Sequence, residues 1–135
     1  NLMKKFLILI LTLLSFSVYS QEIINDDNFE KKISSRSAFS DEGESIVVVE
    51  FWASFNSDNE FKEFKKLDGV TFYRCDIAKS PSSKKKYSIK TIPTIVIYKN
   101  GIEEVKFKAG IGFTLSVTLE ELQESIDELL KESKF

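Results

Sequence analysis

Four groups of residues in this chain could carry chemistry, and the neighbours of each decide what kind. Glu50 is a carboxylate set inside the run Ile46-Val47-Val48-Val49-Glu50-Phe51-Trp52. Desolvation in such a run raises a carboxyl pKa, which makes Glu50 a candidate acid or base. It equally fits a structural carboxyl held by a hydrogen bond, because an acid without a nucleophile or metal beside it does little. Asn56-Ser57-Asp58-Asn59 follows shortly after that run. Its amides and hydroxyl suit a helix start, and an asparagine neither attacks a disulfide nor forms one. Cys75 is the only cysteine and falls in the strand-like stretch Val70–Ile77. It reads as a small buried hydrophobe or, in an oxidising compartment, as the partner of a cysteine in another chain. The last group is Thr91-Ile92-Pro93-Thr94, where a proline opens a second apolar run. The chain has no histidine. That excludes His-ligated zinc, Ser-His-Asp triads and Cys-His dyads.

These residues need elements to hold them. An uninterrupted β-branched run over 46–49 predicts a strand buried on both faces. The polar residues after it predict a sharp turn and a helix start, the place where α/β proteins put chemistry. Ser57-x-x-Glu60 fits a capping box, and Phe61, Phe64 and Leu67 give the helix an apolar side up to Asp68-Gly69. Trp52 is expected in or beside the core. Phe55 is either an inconsequential surface aromatic or one anchor of a binding face.

Val49-Glu50-Phe51-Trp52-Ala53 with Ser54-Phe55 resembles the approach to the active site of thioredoxins. Ile92-Pro93-Thr94 and the following Ile95–Gly101 resemble that family's cis-proline loop, strand and turn. The resemblance implies an α/β thioredoxin-like fold, a central mixed β-sheet flanked by α-helices. It places Asn56, Ser57, Asp58 and Asn59 where the family carries Cys-x-x-Cys, and aligns Glu50 with the family's buried acid. It makes Phe55 the exposed aromatic before the first cysteine, and Gly110 the glycine bordering the binding groove. The helix ending at Asp68-Gly69 is shorter than its counterpart in the family. Dithiol exchange is therefore not expected. What the resemblance leaves is capture of an extended peptide along the proline loop by strand addition, which needs no thiol.

The rest of the chain follows the same order. Residues 1–20 begin with Lys4-Lys5, continue apolar to Val18 and end in small residues, as a secretory leader does. Residues 21–135 then form one domain. The 19 basic residues less Lys4 and Lys5, set against 21 acidic ones, leave about four net negative charges, no bias toward nucleic acid. A first strand is expected at Gln21–Ile24, a helix carrying Phe29 and Ile33, and a turn at Ser40–Gly43. The basic run Lys84–Lys86 reads as a solvated surface. Asn100-Gly101 predicts a type I′ hairpin between Ile95–Tyr98 and Glu103–Ala109. The apolar loop Gly110–Val117 either packs on its own domain or adds Ile111 and Phe113 to a patch with Phe55 and Ile92. Thr118-x-x-Glu121 is a second capping box, before a helix with the stripe Leu119, Leu122, Ile126, Leu129 and Leu130.

The expectation is an exported, periplasmic or secreted, redox-inactive module without cofactor, metal or membrane span after leader removal. Its partner is a protein or extended peptide, met through Phe55, Ile92, Pro93, Gly110, Ile111 and Phe113. The alternative is a thiol-disulfide protein acting through Cys75 alone. No residue pattern sets an oligomeric state.

Overall fold

The structure, a computed structural model, describes residues 2–5, 22–34 and 45–132. The expected leader lies outside the described residues save for 2–5, as does the Ser40–Gly43 turn. Five strands form one sheet in the order β1-β3-β2-β4-β5: β1 (Glu22–Ile24), β2 (Ile46–Trp52), β3 (Thr71–Asp76), β4 (Thr94–Lys99) and β5 (Ile102–Lys108). β1, β3 and β2 run parallel, while β4 and β5 are antiparallel additions. Helices α1 (Phe29–Ser34), α2 (Pro81–Lys86) and α3 (Leu119–Glu132) complete the α/β domain.

β2 divides the core in two because its side chains alternate between faces. Val47, Val49 and Phe51 join Phe29, Ile33, Cys75, Tyr87 and Tyr98 in one cluster. Ile46 and Val48 join Phe61, Leu67, Ile95, Ile97, Leu122 and Ile126 in the other. Every residue from Ile46 to Phe51 is buried, as a strand covered on both faces requires. Each such aliphatic side chain contributes about 1.5–3 kcal/mol. Glu50 shares the parity of Ile46 and Val48, so it faces the second cluster.

Local signals close the ends. Asn100 and Gly101 both have positive φ (53° and 80°), the hairpin geometry that Asn-Gly favours. A Cβ at Gly101 would stand 2.7 Å from Ser34 Oγ. The Asn100 N–H donates to the Ser45 carbonyl at 2.8 Å, and the Ser45 N–H donates to Asn100 Oδ1 at 3.0 Å, which ties the turn to the foot of β2. The Thr118 and Glu121 side chains each accept the other's backbone N–H at 3.2 Å, a reciprocal cap on α3. Leu122, Ile126 and Leu129 are buried beneath that helix.

One expected element is absent. The segment after β2 is no α-helix but two short 3-10 pieces, Ser54–Asn59 and Phe64–Lys66. Ser57 makes no capping box with Glu60; the Glu60 N–H instead donates to the Ser57 carbonyl at 3.3 Å. The physical reason lies beneath this segment and is given below.

Thr118→Ala removes one half of the reciprocal cap. It should lower stability by about 1 kcal/mol in urea titration with the denaturant slope unchanged.

Candidate functional site

The polar centre of the second cluster is an ion pair between directly opposed residues of β2 and β3. Arg74 is 1 % exposed and Glu50 0 %. Arg74 Nε and Nη2 each lie 2.8 Å from Glu50 Oε1. The other carboxylate oxygen accepts the Phe61 N–H at 2.7 Å, and Arg74 Nη2 donates to the Phe61 carbonyl at 2.9 Å. Burial pushes the Glu50 carboxyl above its ordinary range, and the Arg74 charge and the Phe61 N–H pull it back. The Trp52, Phe64 and Phe72 rings surround the guanidinium at 6.0, 5.6 and 5.8 Å. Glu60 Oε2 sits 3.6 Å from Arg74 Nη1.

This arrangement explains the missing helix. An α-helix through this segment needs the Phe61 carbonyl for the N–H four residues on and the Phe61 N–H for the carbonyl four residues back. The Glu50 carboxylate takes the N–H, which removes that rung of the ladder, Arg74 occupies one lone pair of the carbonyl, and Glu60 before it is extended (φ −66°, ψ 152°). Both carboxylate oxygens of Glu50 are engaged, which gives it a structural task. Sequence reasoning singled out Glu50 but passed over Arg74. The available signal was a charged residue in each of two apolar strands, on one face once the strands pair.

Above the pair lies the corner where the resemblance places the family's cysteines. Asn59 Nδ2 donates to Asn56 Oδ1 at 2.7 Å, and Asn56 Nδ2 donates to the Phe113 carbonyl at 3.0 Å. The two outer positions of the degenerate motif are thus joined by a hydrogen bond. Ser57 and Asp58 between them are exposed. Phe55 is 79 % exposed, Phe113 53 %, and Ile111 wholly so. The Asn56–Phe113 bond brings the segment that carries Phe55 next to the loop that carries Ile111 and Phe113, with Gly110 at the start of that loop.

The proline loop adds backbone rather than side chain. Ile92-Pro93 is a cis peptide. Ile92, expected in the exposed patch, is 5 % exposed and packs with the first cluster, and Pro93 is buried too. The reason is its position just before β4, where an apolar side chain turns inward with Val96. The backbone N–H and C=O of Ile92 make no hydrogen bond to any described residue. Thr94 Oγ1 donates to the Thr91 carbonyl at 2.7 Å and braces the loop.

Cys75 is away from this corner. It is fully buried between Phe51 of β2 and Ile24 of β1. Burial pushes its thiol up to about 11. Among the described residues no cluster of His, Cys, Asp or Glu could hold a metal, and no helix is long and apolar enough to cross a membrane.

A family model described as Thioredoxin matches residues 20–123. No curated protein matches the chain. Among solved structures, a crystal structure of a designed protein is similar with a TM-score of 0.61 and 24 % sequence identity, over 82 % of this chain and 98 % of that one. At that identity the likeness is one of fold.

Two predictions follow from the buried groups. Glu50→Gln and Arg74→Met should each cost about 3–5 kcal/mol in urea titration, because each leaves a buried partner unpaired. The double variant should lose less than the sum of the two; additive losses would mean that the groups are not coupled. Cys75 should resist a chromogenic disulfide reagent at pH 7–8 until urea unfolds the chain. Rapid labelling of native protein would show a thiolate that this burial does not allow.

Proposed function

Because the chain belongs to the thioredoxin family, we propose that it is a redox-inactive member of the cell envelope, exported by the leader at 1–20, that binds a protein or extended peptide. The binding face comprises Phe55, Asn56–Asn59, the Ile92-Pro93 backbone and Gly110–Phe113. One observation carries this reading. Amides occupy the two positions that would need sulfur and bond to each other, while the Ile92 backbone in the proline loop makes no hydrogen bond to any described residue. Dithiol exchange needs a thiolate and a second thiol one turn on. Capture of an extended chain needs a free backbone N–H and C=O and apolar contacts, and both are present. Phe55, Ile111 and Phe113 supply the apolar part, and Ile92 acts through its backbone alone.

Cys75 gives the rival reading little support. It lies in the core, and the corner where an electropositive turn would activate a thiol holds Asn56.

The test uses mature protein and an alkylated, permanently unfolded polypeptide as the ligand. Wild-type protein should bind it and fail to reduce insulin disulfides. The triple variant Phe55→Ala, Ile111→Ala, Phe113→Ala should bind at least about tenfold more weakly, since each truncation of an anchor costs on the order of 1 kcal/mol. Disulfide reduction by a Cys75→Ser variant, or equal binding by the triple variant, would refute the proposal.

A further inference from the structure

Leu115 and Val117 anchor the far part of the loop on the second cluster, but its tip, Gly110–Phe113, has little of its own to hold it. Ile111 is wholly exposed, so burial does not fix its place. Phe113 has φ of 61°, in the left-handed region that aromatic residues seldom occupy. Gly112 before it has φ of 99°. The turn's internal hydrogen bonds, Phe113 N–H to the Gly110 carbonyl and Gly110 N–H to the Thr114 carbonyl, are both 3.3 Å long. The shorter tie comes from 57 residues away, where Asn56 Nδ2 meets the Phe113 carbonyl at 3.0 Å. Asn59 orients that donor by giving its own N–H to Asn56 Oδ1 at 2.7 Å.

We propose that Asn56 and Asn59 are positioning residues: a clasp of two amides that holds Phe113 in its left-handed conformation and presents Phe55, Ile111 and Phe113 as one preformed apolar surface. The inference rests on the binding role proposed above and gives it a device. The relay demands amides. Asn56 must accept from one neighbour and donate to the other, which a carboxylate cannot do. With both amides engaged in the clasp, the apolar contacts for the ligand come from Phe55, Ile111 and Phe113, beside the exposed Ser57 and Asp58. The fitting ligand is an extended segment with bulky apolar side chains, whether or not it contains cysteine. Preforming the loop removes an ordering cost from binding.

Asn56→Asp tests this, since it keeps the shape and the acceptor but turns a carboxylate oxygen toward the Phe113 carbonyl. Two quantities are read on the mature protein: amide hydrogen exchange in peptides covering 110–117, and affinity for the alkylated unfolded polypeptide. The expected result is exchange at least tenfold faster in 110–114, unchanged exchange in β2 and β4, and affinity about five- to tenfold lower. A second variant, Asn56→Asp with Phe113→Gly, should recover slow exchange, because glycine takes the positive φ freely, without recovering affinity. Unchanged exchange in Asn56→Asp overturns the clasp whatever binding does. Faster exchange with unchanged affinity overturns its positioning role. Wild-type protein that ignores the polypeptide overturns the binding reading and this role together, and the exchange result then still records whether the clasp exists.

Discussion

Glu50 and Arg74 meet across adjacent parallel strands at a depth that solvent does not reach. Neither charge is tolerable there alone, and the pair needs further hydrogen bonds to offset its desolvation, although Arg74 Nη1 has only the Glu60 carboxylate 3.6 Å away. The Phe61 backbone supplies two of them, and that requirement shapes everything above the sheet. It pins the chain eleven residues beyond Glu50, sets where Phe61 and Leu67 enter the second cluster, and stops an α-helix from forming. The three rings around the guanidinium then follow as lining rather than as a separate feature.

The sheet keeps the two functional possibilities apart. The sulfur is in the first cluster, inside the sheet layer, and is protonated at physiological pH. The exposed rings lie beyond the same end of β2, outside the sheet, where the chain leaves it, so burial rather than distance along the strand separates them from the sulfur. A chain built this way keeps its one thiol out of reach of its surroundings.

Much of this was legible in the sequence, and the division follows the range of each interaction. The β2 run, the Asn100-Gly101 turn and the Thr118–Glu121 cap depend on residues within one element, so composition and spacing reveal them. The same holds for the alternation of Val105 and Phe107 with Lys106 and Lys108. The helix expected after Ser57 failed because the competing partner, Arg74, lies 13 residues past Phe61 and reaches it only once β3 pairs with β2. Ile92 was expected in the exposed patch for a related reason. An apolar residue before a proline says nothing of which way its side chain turns until the strand that follows is placed. The Asn56–Phe113 bond, spanning 57 residues, has no local signature at all.

The captured Phe61 amide has an evolutionary consequence. An α-helix starting at the corner would lend its dipole to a cysteine at its first turn and make that sulfur acidic. Here only short 3-10 pieces follow, with Asn56 itself at a kink. A lineage could regain two cysteines through a few codon changes and still lack the field that makes one of them an electron donor. Recovering that field would mean releasing the Phe61 N–H from the charged pair beneath, and removing either charge alone leaves the other buried and unpaired. Two obstacles to dithiol chemistry thus stand at this corner, one in side chains that are easily exchanged and one in a backbone that is not.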